Sequence, residues 1–222
     1  MYKTDELVQA FMTAKNEVDA KPMAAYMKHQ FKFLGLRKPL RATLQKPWLQ
    51  RITKTKAIDW DLVEILYTYD EREYQYVAID YLIKQKKQLK RDELSQLKVL
   101  IMTKSWWDSV DIIAAHLIGT LLQNEWDKSV MLEWAQDDNL WVRRCALLFQ
   151  LRYKGQTDTQ LLETIINYNL GSTEFFINKA IGWALREYSK TDEVWVREFV
   201  TRYDLAPLSY KEALKYVNKK IK

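Results

Sequence analysis

Four positions constrain this chain more than any other feature. Ala78, Asp111, Ala146 and Ala180 stand 33, 35 and 34 residues apart. Five residues before them stand Glu73, Trp106, Trp141 and Phe175, an aromatic in three cases, with Tyr74 beside Glu73. A period of this length fits helix pairs stacked in an array, where each pair hides a face only against its neighbours. Ile113, Leu117 and Leu121 follow at i, i+4 and i+8, the helical spacing. Five Gly and four Pro in 222 residues leave little to interrupt helices. The reading is an all-α chain, a curved superhelical solenoid of antiparallel HEAT-like helical repeats. No Ser- or Gly-rich linker divides it, so residues 1–222 read as a single domain.

Local signals mark the joints. Asp137, Asp138 and Asn139 are cap candidates before Trp141. Ser172-Thr173-Glu174 precedes the next helix in the same way. Asp70-Glu71-Arg72-Glu73 places acids in a first turn, where the helix dipole favours them. Gly35 with Pro39, Gly155 with Gln156-Thr157-Asp158, and Asp204 to Pro207 read as turns.

Composition removes several function classes. The single Cys145 allows no internal disulfide, and its apolar surroundings read as core. With only His29 and His116 beside it, no zinc site is expected, and neither metal nor cofactor. No signal peptide and no membrane-length apolar run is evident, so a cytoplasmic protein is expected. A formal charge of +6 permits a nucleic-acid partner without demanding one.

The repeat singles out Asp111. Where its counterparts are alanines, a carboxylate costs several kcal/mol if it is buried and unpaired. It either faces an open groove or is held by a partner, for which Arg144 in the next repeat is a candidate. Around it, Lys104-Ser105-Trp106-Trp107-Asp108-Ser109-Val110-Asp111 sets two large π-faces beside two carboxylates, a setting for a flat, electron-poor group. The residues alone equally allow Trp107 and Trp183 as core, Arg143, Arg144 and Arg152 as a solvated face, and His116 as packing.

Longer motifs add a resemblance. Pro22-Met23-Ala24-Ala25-Tyr26-Met27-Lys28, Phe31-Lys32-Phe33-Leu34-Gly35, the Trp-Trp-Asp-Ser-Val-Asp run, Asn139-Leu140-Trp141-Val142-Arg143-Arg144, Phe149-Gln150-Leu151-Arg152-Tyr153-Lys154, Glu174 to Lys179, Lys179 to Tyr188, and Leu205-Ala206-Pro207-Leu208-Ser209 occur in order. Over residues 22–215 the chain resembles the AlkD family of DNA alkylation repair glycosylases. The resemblance implies HEAT-like repeats whose concave face cradles duplex DNA carrying alkylated purines, in a monomer. It implies a catalytic carboxylate at Asp111, site tryptophans at Trp107 and Trp183, and a DNA-contacting Arg144. Tyr26, Arg152 and Arg186 are implied to line or flank the same face. Apart from the resemblance, the basic series Arg143, Arg144, Arg152 and Arg186 on successive repeats should line one concave face. Arg152 stands where the family pattern often has Lys, which keeps the charge. The implied reaction is release of cationic N3- and N7-alkylpurines while the base stays stacked. Two other classes stay open: a non-catalytic repeat protein on bent or branched DNA, and a protein-binding scaffold.

Overall fold

The computed structural model describes residues 4–55 and 57–219. Among them the secondary structure is helical, and the one β-type contact is an isolated bridge between Lys32 and Glu71. The chain forms two compact units, one ending at Leu89 and one beginning at Lys90.

The first unit holds α1 (Asp5–Thr13), α2 (Glu17–Tyr26), α3 (Lys38–Ile52), α4 (Trp60–Thr68) and α5 (Arg72–Gln85). Asn16 starts α2, its side-chain oxygen accepting from the N–H groups of Val18 and Asp19 at 3.0 and 3.2 Å. Gly35 turns the chain back at φ +87°; an added Cβ would lie 1.9 Å from the Asn16 carbonyl oxygen. No side chain fits there. The core is built on α5, whose Tyr74, Val77, Ala78, Tyr81 and Leu82 are all buried. Glu73 does not serve the helix dipole at the surface as its place in a first turn suggests. It is fully buried and accepts from Leu34, Gly35 and Leu36 N–H at 3.0, 2.9 and 3.0 Å.

The second unit carries α6 (Leu94–Met102), α7 (Trp107–Ile112), a π-helical turn (Ile113–Ile118), α8 (Gly119–Leu122), α9 (Val130–Trp134) and α10 (Leu140–Leu148). It continues with α11 (Thr159–Asn167), α12 (Phe175–Tyr188), α13 (Glu193–Arg202) and α14 (Pro207–Ala213). Asn139, Asp158 and Asp192 cap α10, α11 and α13 by accepting from Trp141, Leu161 and Trp195 N–H. Ser172 accepts from Glu174 N–H just before α12. α10 packs on both α7 and α12, and α12 on α14. The repeat alanines sit at these contacts: Ala146 and Ala180 are buried, as Ala78 is in the first unit. Gly182 makes the closest crossing. A Cβ there would lie 2.5 Å from the Glu212 Cβ and 2.8 Å from the Ser209 carbonyl oxygen.

The aromatic half of the repeat forms a ladder across α7, α10 and α12. Trp106 meets Trp141 at 5.5 Å between centroids, and Trp141 meets Phe176 at 4.9 Å. The register slips by one in α12: Phe175, the aligned residue, is 58 % exposed, and Phe176 takes its place in the ladder.

Candidate active site

Asp111 lies in the last turn of α7, one helix away from Arg144 of α10. The two form a bidentate ion pair. Arg144 Nε donates to Asp111 Oδ1 at 2.7 Å and Nη2 donates to Oδ2 at 2.9 Å, while Nη1 donates to the Phe176 carbonyl of α12. The side chains are 3 % exposed for Arg144 and 11 % for Asp111. The Arg144 guanidinium carbon also lies 5.8 Å from the Phe176 ring centroid. The repeat position reserved for alanine thus accommodates a carboxylate because the next repeat supplies its counter-charge.

Burial pushes the Asp111 carboxyl above its ordinary value; the Arg144 hydrogen bond and charge oppose that, and Asp108 adds to it. Cys145, fully buried, has its thiol pushed well up by burial and by the Asp111 charge. It is core, as its apolar setting indicates.

Asp111 keeps one side open. A shallow cleft of about 250 Å³ is lined by Asp111, Ile112, Ala115, His116, Leu151, Arg152, Trp183 and Glu187. Arg144 occupies one lone-pair direction on each Asp111 oxygen. A carboxylate has about four such directions, so half remain for a group in the cleft.

The sequence-derived site residues divide sharply here. Asp111, Trp183 and Arg152 come together on the cleft. Arg152 is exposed, in a turn beyond α10. Trp107, half-buried, opens α7 but is not among the cleft-lining residues. Arg144 is committed to Asp111 and Phe176 rather than presented to a phosphate. Arg143 donates to the Asp137 and Asp138 carbonyls at 2.7 and 3.1 Å, bracing the turn before α10. Arg186 pairs with Glu212 of α14, which Lys179 also meets at 2.9 Å. The four arginines therefore do not form one free basic row. Tyr26 belongs to the first unit, 69 % exposed at the end of α2.

Two residues were missed in the sequence, His116 and Glu187. His116 reads there as packing because residues five apart on an α-helix diverge by roughly 140° at 3.6 residues per turn. The π-helical turn at Ile113–Ile118 changes that register. His116 lies within that turn, and it lines the cleft together with Asp111. Glu187 falls one turn beyond Trp183 on α12, at helical spacing that only a known cleft makes meaningful. Among the described residues, no group of three or more His, Cys, Asp or Glu could hold a metal ion. No helix described is long and apolar enough to cross a membrane.

Residues 7–217 match the family described as DNA alkylation repair enzyme. A solved structure described as a predicted DNA alkylation repair enzyme from Enterococcus faecalis aligns with a TM-score of 0.86 at 38 % sequence identity, over 92 % of this chain and 97 % of that one. No curated protein matches the chain significantly.

Proposed function

Because the chain belongs to the DNA alkylation repair enzyme family, we propose that it is a monofunctional DNA glycosylase. Its substrate is duplex DNA carrying cationic N3- or N7-alkylpurines, such as 3-methyladenine and 7-methylguanine. The helical repeats of the second unit present the Asp111 cleft to the duplex. One observation carries the reading: a carboxylate at a helix-packing position, held by an arginine and left open to a cleft with Trp183 and Arg152.

The chemistry suits these groups. Alkylation at N3 or N7 makes the base a cation, so it leaves as a neutral molecule with the electrons of the glycosidic bond. Protonation by an acid is then unnecessary. Positive charge grows on the deoxyribose as the bond stretches, and the Asp111 carboxylate stabilises that charge most in the transition state. Water adds to the sugar carbon, with Asp111 orienting it and accepting its proton. The Arg144 pair keeps the carboxylate ionised despite its burial and fixes its direction. Trp183 offers its electron-rich face to the cationic nucleotide. Arg152 holds a backbone phosphate, which positions the duplex without reading sequence. In this reading Trp107 belongs to the nucleotide-facing surface of the second unit, and Tyr26 is a DNA contact of the first unit. The base stays stacked, in keeping with a shallow cleft.

The bidentate clasp on Asp111 favours a second reading, a non-catalytic DNA-binding repeat protein in which the pair is purely structural. The test is substrate charge. Methylated duplex DNA should release 7-methylguanine and 3-methyladenine, whereas duplexes with hypoxanthine or uracil should release nothing. No release of methylated bases would favour the second reading. Hypoxanthine release that disappears in His116→Ala would show an acid at work in the cleft and overturn the restriction to cationic bases.

A further inference from the structure

The strongest unassigned feature is Lys154. It sits at φ +52°, in the left-handed region that glycine and asparagine favour and lysine avoids. Gly155 follows directly and does not carry a left-handed φ, so the sequence places its glycine beside the strained position and not on it. Helix electrostatics do not account for this. Lys154 lies six residues beyond the end of α10 at Leu148, outside the last turn where a cation gains from the dipole, and it opens the 3-10 turn Lys154–Gln156.

The turn that imposes the strain is braced throughout. Tyr153 is buried and its hydroxyl donates to the Gly119 carbonyl at 2.7 Å. The Lys154 carbonyl accepts from Thr157 N–H at 3.1 Å and from the Thr157 hydroxyl at 2.8 Å. Gln150 ties the ends of the loop by donating to the Asp158 carbonyl at 3.2 Å and accepting from Asp158 N–H at 2.8 Å. The exposed ammonium makes no hydrogen bond or ion pair with the described residues, and the same is true of Arg152 two positions earlier. Lys154 lines a cavity of about 320 Å³ that shares Leu151 and Glu187 with the Asp111 cleft. A pinned loop therefore holds two cations without an ion pair among the described residues, one at each of two adjoining hollows, and the Glu187 that lines both is paired with Lys190 at 2.6 Å. Strain of this kind persists where surrounding structure enforces it, and it clusters at ligand-binding sites.

We propose that Lys154 is a DNA phosphate-binding residue, gripping the phosphate of the nucleotide that neighbours the one facing Asp111. The inference rests on the DNA reading given above. Lys154 lines the second hollow as Arg152 lines the first, and the two engage successive positions along one strand.

The test pairs stability with salt dependence. Anisotropy titrations of an undamaged duplex at several salt concentrations are run for the wild type, Lys154→Gly and Lys154→Arg, with thermal melts of each. Lys154→Gly relieves the strained φ, so its melting midpoint should equal or exceed the wild type. Its affinity should nevertheless fall, with the log–log salt slope shallower by about 0.9, the value of one phosphate contact. Lys154→Arg should keep the slope. A steep wild-type slope that Lys154→Gly retains would overturn this inference alone, as would a lower melting midpoint, which would make Lys154 structural. A flat wild-type slope would remove the DNA reading and this inference with it.

Discussion

Glu73 and Asp111 are both buried acids in the same repeating pattern, and they have opposite characters. Glu73 occupies the position that Trp106 and Trp141 hold in later repeats, and Asp111 the position that Ala78 and Ala146 hold. Burial raises both carboxyl groups. Three backbone N–H donors enclose Glu73 completely. Those donors cannot move without moving the chain at Gly35, so Glu73 fixes a turn and offers nothing to a ligand. Asp111 is held by a single side chain and faces a cleft on its other side. An acid where the repeat expects none is thus not by itself a site. The kind of donor and the open edge distinguish chemistry from structure.

The largest effect expected from this contrast is on stability. Glu73→Ala strands three buried N–H groups and should cost on the order of 3–5 kcal/mol in denaturant unfolding of the first unit, with base release per folded molecule preserved. A Glu73→Ala protein as stable as the wild type would show that its donors find other partners.

Arg144→Ala should destabilise by about 3 kcal/mol, because it leaves Asp111 buried without its cation. It also gives a pH signature. The folded Asp111 pKa is already above the ordinary carboxylate value, so activity needing the anion is present above that pKa and lost as pH falls through it. Removing Arg144 takes away the opposing influence and raises the pKa further. The acid limb of the pH–rate profile should move to higher pH. Because the folded state then binds its proton more readily than the unfolded chain, the variant's stability deficit should shrink as pH is lowered. An unmoved acid limb would exclude Asp111 as the group that must be ionised.

Much of this was legible in the sequence, for identifiable reasons. Alanine at 78, 146 and 180 reports helix packing directly, and the period gave Arg144 as the Asp111 partner because the two stand one repeat apart. The π-helical turn left no such mark. Nothing in Ile113-Ala114-Ala115-His116 distinguishes a π turn from an α turn, so His116 reads as packing. Arg186 reads as a free cation because its partner Glu212 lies on α14, outside the repeat register. The aromatic ladder was legible as a pattern, but the choice between Phe175 and Phe176 depended on how α12 begins.

Smaller effects should separate the two tryptophans and the cations. Trp183→Ala should slow release of 7-methylguanine by roughly tenfold, a cation–π contribution of about 1–2 kcal/mol, and leave binding to undamaged duplex nearly unchanged. Trp107→Ala should do less, since Trp107 is not among the residues lining the cleft. Equal losses would place both on the substrate. The smallest change expected is in Arg152→Ala, a salt slope shallower by about 0.9 with no new sequence preference. A slope change in Arg143→Ala but not in Arg152→Ala would reverse the assignment of the free cation.

The central claim is that the Asp111 carboxylate does chemistry and is not merely half of an ion pair. It is tested most directly by single-turnover release of 7-methylguanine from methylated duplex DNA by the wild type and by Asp111→Asn. The asparagine oxygen can still accept one of the two Arg144 hydrogen bonds, so the variant should melt cooperatively, at a lower midpoint than the wild type, and bind undamaged duplex as the wild type does. Its rate of release should fall about a hundredfold or more, as expected when a key electrostatic group is removed. An Asp111→Asn protein that releases 7-methylguanine at the wild-type rate would contradict the account.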